Sequence, residues 1–246
     1  MTMTEMSAGS RTTQTPPPPS SAPPEDNELK LPWNYSFIDI SRYLKAYMLA
    51  EKINASIDDA GFRGVIAQHS CEGYGSYKYF DKKLWLRAKT MRAIELRLNK
   101  REPSRVLDLG CGPGYFLYVC KWLGHHVQGL DLPDEDFYRN MMGFFAIPRA
   151  DFRIEPHIEL PKFPEKFDVV SAHQICFNGH KTSQLWGAPE WDFFIDDLRR
   201  HHLKPGGVIA LEFNPEPAVG YYSHKLRDLF AAHGAEMVRG RVTIPI

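Results

Sequence analysis

The pattern of apolar and polar residues differs between two parts of the chain. Between residues 31 and 101, apolar positions recur at steps of three and four, as they do on one face of a helix. One such stretch runs from Phe37 to Ile53, and a second runs from about Asp81 to Leu98, with Asp81 as its N-cap. These stretches predict a helical region ahead of the main domain.

From residue 104 onwards, short apolar runs alternate with helical patterns. The predicted strands are Arg105–Leu109, His126–Leu130, Phe152–Ile154, Phe167–Ala172 and Val208–Phe213, with short strands inside residues 235–246. The predicted helices are Tyr115–Leu123, Phe137–Phe145, Trp191–His201 and Ser223–His233. This alternation is typical of an α/β fold, a doubly wound and mostly parallel sheet with helices on both faces. Ligands of such sheets bind at the carboxyl ends of the strands.

Composition divides the chain into three parts. Residues 1–28 are rich in Pro, Ser and Thr and contain no aromatic residue, so we expect a disordered tail, with a proline-rich docking peptide as the alternative. Residues 29–101 are predicted to form a helical cap or lid. Residues 102–246 are predicted to form the main, ligand-binding domain.

Overall charge and apolar content limit the function classes. Lys+Arg and Asp+Glu both number 30, and this balance argues against a nucleic-acid or anionic-membrane binder. No apolar run approaches the roughly 18 residues of a membrane helix, and no signal-peptide core is present. The four cysteines contain no CxxC pair, which favours reduced thiols and no metal site. We therefore expect a cytoplasmic enzyme, with a homodimer left open.

A glycine-rich turn follows the first predicted strand, in VLDLGCGPGYF at residues 106–116. A dinucleotide fingerprint requires glycine at position 115, and that residue is Tyr115. Asp108, two residues before Gly110, would repel a pyrophosphate but attract a cationic group. A nicotinamide oxidoreductase is therefore disfavoured. The turn suits a ligand with a positive end and no phosphate, and S-adenosylmethionine has both features.

DLGCGPG resembles the first motif of the class I S-adenosylmethionine-dependent methyltransferases, which have a seven-stranded sheet. KFDVVSAHQICFNGH and LKPGGVIALEFNP resemble the fourth and fifth strands of that family, so the resemblance covers about residues 104–236. ADFRIEPHIELP departs from the family's Gly-Asp-Ala form after the third strand. The resemblance implies S-adenosyl-L-methionine as the cofactor.

The resemblance also implies roles for individual residues. Asp108 would orient the ammonium of the cofactor, Gly112 and Gly114 would admit its methionine portion, and Asp131 would accept hydrogen bonds from the ribose hydroxyls. His157 and Ile158 are the candidates for lining the adenine. The full predicted cofactor set is Asp108, Gly110, Cys111, Gly112, Gly114, Tyr115, Asp131, Leu132, His157, Ile158, His173 and Gln174.

Two branches of the family are excluded by motif. The chain has Ser171-Ala-His-Gln174 where amino-methylating DNA enzymes carry Asn/Asp-Pro-Pro-Tyr, and residues 168–189 lack the glutamates of protein arginine methyltransferases. We therefore expect methylation of an oxygen or nitrogen in a small-molecule or glycan-type acceptor. A non-catalytic binding protein on the same fold is the alternative.

The loop after the fourth predicted strand carries the candidate chemistry. His180 is the first candidate for a general base and His173 the second, with packing on the cofactor as the alternative for His173. Glu212 is a third possibility, and an acceptor that is already nucleophilic needs no base. Tyr77, Tyr79 and Asn178 are the candidates for contacting the acceptor.

Overall fold

The computed structural model describes residues 37–70, 75–217 and 219–246. The helices are α1 (Phe37–Ala55), α2 (Asp59–His69), α3 (Lys82–Glu95), α4 (Tyr115–Trp122), α5 (Asp136–Phe144), α6 (Ala188–Asp197) and α7 (His224–Ala232). The strands are β1 (Arg105–Leu109), β2 (His126–Asp131), β3 (Arg149–Asp151), β4 (Phe167–Ile175), β5 (Leu203–Phe213), β6 (Glu236–Val238) and β7 (Arg241–Pro245). The predicted tail at residues 1–28 lies outside the described residues, and the predicted domain boundaries stay predictions.

The seven strands form one sheet in the order β3-β2-β1-β4-β5-β7-β6. The first five strands pair in parallel, whereas β7 runs antiparallel to both β5 and β6. The predicted α/β fold with a mostly parallel sheet is confirmed. The strand order reverses between β1 and β4, so a ligand crevice is expected where these two strands end.

Helices pack on both faces of the sheet. Successive residues of a strand point to opposite faces, so β1, β2, β4 and β5 contribute to two hydrophobic cores. Val106 packs with Leu86 of α3 and Phe116 of α4 on one face. Leu107 packs with Trp191 of α6 on the other face. Ile53 of α1 and Phe62 of α2 belong to the first of these cores. The helices before β1 therefore share a hydrophobic core with the sheet.

Helix α3 begins as predicted but ends early. The Asp81 side chain caps the helix by accepting the Leu84 N–H at 3.0 Å. The α-helix ends at Glu95 rather than Leu98, because Arg97 takes a left-handed conformation with a φ of 57° that a helix cannot include.

The third strand begins three residues earlier than predicted. Strand β3 covers Arg149–Asp151 rather than Phe152–Ile154, and it pairs in register with β2 until Asp131 stands opposite Asp151. The Phe152 N–H then makes a last bond to the Asp131 carbonyl at 2.9 Å. The apolar alternation after it arises because the following loop packs on the core, not because it forms a strand.

The boundaries of β5 and α6 also differ from the prediction. Strand β5 begins at Leu203, before the Pro-Gly-Gly segment, because Leu203 pairs with Phe167 of β4. Helix α6 begins at Ala188, where the Glu190 side chain accepts the Gly187 N–H at 2.9 Å. It ends at Asp197 and continues as a π-helical turn, Leu198–His202.

Candidate functional site

The turn between β1 and α4 is built on three glycines in the left-handed backbone region. Gly110, Gly112 and Gly114 have φ angles of 66°, 53° and 80°, which residues with a Cβ rarely adopt. A Cβ on Gly114 would also lie 2.3 Å from Sδ of Met142. At Gly112, apart from its chain neighbours, no atom of the described residues lies within 4 Å of an added Cβ. The backbone at Gly112 therefore faces open space that a ligand can enter.

Asp131 ends β2 and holds this turn in place. Its Oδ2 accepts the Gly112 N–H at 2.5 Å, and its Oδ1 accepts the Leu132 N–H at 2.8 Å. Burial raises the pKa of Asp131, while these two backbone N–H groups act to lower it. An ionised carboxylate has about four lone-pair sites, so two remain for a ligand. Asp131 can therefore fix the turn and bind a ligand hydroxyl at the same time.

Asp108, within β1, is a buried carboxylate beside the turn. Ser171 donates its hydroxyl to Oδ1 of Asp108 at 2.7 Å. Burial raises the pKa of Asp108 to about 7, because a charged carboxylate is poorly solvated there. A ligand cation placed against Asp108 would restore its charged form.

Lys89 of α3 lines the same small pocket as Asp108, between α3 and the glycine turn. It is partly buried, and its Nζ lies 5.6 Å from the ring centroid of Trp85. Burial lowers the pKa of Lys89, whereas Glu212 and Asp108 act to raise it. The pocket thus contains one acidic and one basic side chain, Asp108 and Lys89. This arrangement complements a ligand that carries one positive and one negative group.

His173 lies near the end of β4, buried against Phe116 with a centroid distance of 4.3 Å. Its Nδ1 lies 3.4 Å from Oε2 of Glu212 and its Nε2 lies 3.8 Å from Oδ1 of Asp108. Neither ring nitrogen forms a hydrogen bond within the described residues. Burial lowers the pKa of His173 to about 3. The ring is therefore neutral at physiological pH.

The carboxyl end of β4 is bent away from a regular strand. Gln174 has a left-handed φ of 53°, and the pairing with β5 shifts register between His173 and Ile175. The Asn214 amide donates to the carbonyls of Gln174 and Ile175 at 3.0 and 3.1 Å. This anchor directs the following loop over the end of the sheet.

A cavity of about 960 Å³ opens above the carboxyl ends of β1, β2 and β4. Predicted residues that line it are Tyr79, Gly110, Gly112, Asp131, Leu132, His173 and Gln174. Predicted residues that line the smaller pocket beside the turn are Tyr79, Asp108, Gly110, Cys111, Gly112, Tyr115, His173 and Gln174. The fold therefore brings most of the predicted cofactor set together.

His157 and Ile158 are not among the residues that line the cavity, and their predicted contact with the adenine stays a prediction. His157 has a left-handed φ of 59°, its side chain is about half exposed, and its Nε2 lies 3.5 Å from Oε1 of Glu190. Ile158 is 49% exposed. The preceding segment, Phe152 to Pro156, lines the cavity instead.

His180 is held by a carboxylate rather than exposed to the cavity. Its Nδ1 is paired with Oε1 of Glu216, and Gly179 before it lines the cavity while the imidazole does not. Asn178 is buried and does not line the cavity. Tyr77 is 47% exposed, does not line the cavity, and contacts the ring of Phe80 edge to face. Of the three predicted acceptor residues, only Tyr79 lines the cavity.

Sequence reasoning missed Lys89 and Glu216. Lys89 follows Trp85 by four residues on α3, so it lies beside the apolar face of that helix. Glu216 stands just past β5, at the same edge of the sheet as the loop that carries His180. Both signals are present in the sequence, but neither is specific before the topology is known.

Comparison with known proteins supports the same type of site. A sequence model described as FtsJ-like methyltransferase matches residues 87–186, which include the glycine turn and β4. No curated protein matches the chain significantly. No helix among residues 37–70, 75–217 and 219–246 has the length and apolar character needed to cross a membrane.

Three solved structures illustrate the distant structural likeness of this chain to other proteins. DesVI of Streptomyces venezuelae is 16% identical with a TM-score of 0.49, covering 78% of this chain and 100% of its own. The amino pentose methyltransferase CalS10 of Micromonospora echinaspora is 19% identical with a TM-score of 0.46, covering 65% and 91%. The 1,6-didemethyltoxoflavin-N1-methyltransferase of Burkholderia thailandensis is 17% identical with a TM-score of 0.47, covering 70% and 81%. These likenesses are too distant to carry an argument about function.

The family match lies on the part of the sheet that the motifs predicted. The turn after β1 contains the DLGCGPG motif, and Asp131 lies beside this turn at the end of β2. The match, the motif and the strand order all agree with the predicted resemblance to the class I S-adenosylmethionine-dependent methyltransferases.

Proposed function

We propose that this enzyme methylates an oxygen or nitrogen of a small-molecule or glycan-type acceptor. The observation that carries the proposal is a cavity of about 960 Å³ that joins the glycine turn to the loop after β4. Its volume is in the range of small-molecule sites, which are roughly 300–1,000 Å³. The cofactor and a compact acceptor can therefore share this space.

The residues present fit S-adenosylmethionine. Asp108 and Lys89 would bind the ammonium and carboxylate of its methionine portion, since the pocket that they line offers one group of each sign. The open space at Gly112 leaves room for the chain between them. Asp131 would accept hydrogen bonds from the ribose hydroxyls. The bound cofactor supplies an electrophilic methyl group on a sulfonium.

Aromatic side chains support a compact acceptor. The cavity is lined by Tyr79, Tyr138, Phe152, Phe177 and Trp186. Phe177 and Trp186 pack edge to face with their ring centroids 5.6 Å apart, on the wall formed by the loop after β4. Flat apolar walls favour a ring-shaped acceptor and exclude water from the reacting atoms.

We assign the two predicted histidines different roles. His173, whose pKa falls to about 3, is a weak base, so we assign it to the wall beside the cofactor's methionine portion. His180 is paired through Nδ1 with Glu216, which leaves Nε2 as the proton acceptor. The ring itself does not line the cavity, whereas Gly179 before it does. We therefore propose that a backbone rotation at Gly179 brings Nε2 to the acceptor, and a hydroxyl acceptor would then lose its proton to His180 as the methyl group is transferred.

The experiment incubates the full chain with isotopically labelled S-adenosylmethionine and extracts of metabolites and glycans, followed by mass spectrometry. We expect label in a small molecule or sugar and not in nucleic acid or protein. His180→Ala should lower turnover by about 10²–10⁴-fold while cofactor affinity stays within about threefold. His126→Ala, which changes an exposed histidine at the amino end of β2, is the control. Label confined to macromolecules would contradict the acceptor class, and full activity of His180→Ala would contradict the base.

A further inference from the structure

The large cavity and the smaller pocket meet beside the glycine turn. The residues that line both spaces are Tyr79, Gly110, Gly112, His173 and Gln174. The two glycines follow β1, and His173 and Gln174 lie near the end of β4, so the sheet fixes their positions. Tyr79 instead ends a 3₁₀ helix, Gly75–Tyr79, which precedes α3 in the chain. Contacts outside the sheet must therefore hold Tyr79 at this junction.

Two aromatic side chains donate hydrogen bonds to the last two carbonyls of the 3₁₀ helix. The Tyr115 hydroxyl donates to the Tyr79 carbonyl at 2.6 Å, and the Trp85 indole N–H donates to the Lys78 carbonyl at 2.6 Å. The Tyr115 and Trp85 rings are stacked, with centroids 6.5 Å apart and an interplanar angle of 11°. Tyr115 is the first residue of α4 and directly follows Gly114. Its hydroxyl therefore ties the 3₁₀ helix to the glycine turn.

The side chain of Tyr79 is held by two further rings. Its ring centroid lies 4.8 Å from that of Trp85 and 5.5 Å from that of Tyr138. These contacts fix the direction of the ring, while the bond from Tyr115 fixes the backbone that carries it. An aromatic ring at the junction excludes water from the groups on either side of it.

We propose that Tyr115 is a positioning residue, whose hydroxyl holds Tyr79 over the junction where the methyl-bearing end of the cofactor binds. This inference rests on the proposed function, in which Asp108 and Lys89 of the smaller pocket bind the methionine portion and the large cavity takes the remainder of the cofactor. The sulfonium would then lie where the two spaces meet. The Tyr115 hydroxyl is engaged by the chain itself, so its effect on the cofactor passes through Tyr79.

Helix α4 also contains a matched control. The Tyr118 hydroxyl lies 3.3 Å from the hydroxyl of Ser56, and Tyr118 is not among the residues that line the cavity or the smaller pocket. The rings of Tyr115 and Tyr118 both pack against Phe145. Tyr115→Phe and Tyr118→Phe each remove one hydroxyl and keep this packing. The two variants therefore differ in which segment loses its hydrogen bond.

The first measurement is hydrogen–deuterium exchange of the cofactor-free full chain. Amides of residues 77–80 should exchange about three- to tenfold faster in Tyr115→Phe, the change expected from the loss of one hydrogen bond. In Tyr118→Phe they should exchange as in the native chain. Native exchange of this segment in Tyr115→Phe would overturn the inference.

The second measurement is calorimetric titration with S-adenosylmethionine and with adenosine, which lacks the methionine portion. Tyr115→Phe should bind S-adenosylmethionine about three- to tenfold more weakly and adenosine within about twofold of the native chain, whereas Tyr118→Phe should bind both as the native chain does. Unchanged affinity of Tyr115→Phe for S-adenosylmethionine would overturn the inference. An equal loss for both ligands would also overturn it, because a general disturbance of the fold weakens both. Failure of the native chain to bind S-adenosylmethionine would contradict the proposed function as well.

Discussion

Replacing Asp131 tests the cofactor site most directly. Both oxygens of this carboxylate already accept a backbone N–H, from Gly112 at 2.5 Å and from Leu132 at 2.8 Å. An amide at this position has one oxygen and one NH₂ group, so Asp131→Asn would turn a donor toward one of these N–H groups. The isosteric change should therefore disturb the turn, and Asp131→Ala should remove the acceptor entirely.

The expected loss follows from the bonds that the carboxylate would make. A hydrogen bond to a charged group contributes about 1.5–3 kcal/mol, and in the variants water can solvate part of the freed ribose. We therefore expect a net loss of about 1.4–2.8 kcal/mol, equal to a 10- to 100-fold fall in affinity. Loss of the buried acceptor for Gly112 should also lower the melting temperature of the cofactor-free chain.

The assay is calorimetric titration of S-adenosylmethionine and of its demethylated product into native, Asp131→Asn and Asp131→Ala chains. Asp151→Asn is the matched control, because Asp151 stands opposite Asp131 in β3 but forms a surface ion pair with Arg139 at 2.9 Å. It should leave the affinity within about threefold of native. If both Asp131 variants also stay within that range, another group holds the ribose and the proposed binding geometry is wrong.

Three further predictions concern groups around the glycine turn. Lys89→Met keeps the apolar stem but removes the charge, so cofactor affinity should fall by about tenfold, whereas the exposed Lys83→Met should not change it. Burial raises the Asp108 pKa to about 7, so protonation stabilises the folded cofactor-free chain at low pH and this stabilisation is lost as pH rises through about 7. Asp108→Asn should therefore melt above the native chain at about pH 8, with the gap narrowing toward about pH 5, and a gap independent of pH would contradict the assignment. Gly114→Ala places a Cβ 2.3 Å from Sδ of Met142 at a left-handed φ of 80°, and it should destabilise the chain by roughly 1–3 kcal/mol in chemical denaturation. Gly112→Ala shares the backbone penalty without the clash, so equal losses in both variants would refute the packing argument.

The parallel core of the fold was predictable because its determinants are local. The apolar run at β1, the glycine turn after it and the acid at the end of β2 occur in one short stretch of chain, and each has a fixed place in a parallel sheet. Alternation of strands and helices then restricts the topology. The parallel pairing of the first five strands confirms the mostly parallel sheet predicted from this pattern.

The edges of elements were less predictable because tertiary contacts decide them. Phe152 and Ile154 alternate like a strand but pack on the core, while β3 is fixed by its register with β2. Pro205 and the two glycines after it resemble a turn, yet β5 includes them because Leu203 pairs with β4. Short apolar patterns do not distinguish a strand from a buried loop.

The residues that face the proposed acceptor were the hardest to predict from the sequence, for a physical reason. The proposed cofactor contacts come from backbone and from acids at or near strand ends, whose positions follow from the sheet. The opposite wall comes from Tyr79, Phe177 and Trp186, side chains of two segments that approach each other only after folding. His180 reaches its partner Glu216 across the ends of β4 and β5. A residue type and its spacing along the chain carry no trace of such a pairing, so the identity of the acceptor depends on side-chain geometry that the motifs do not encode.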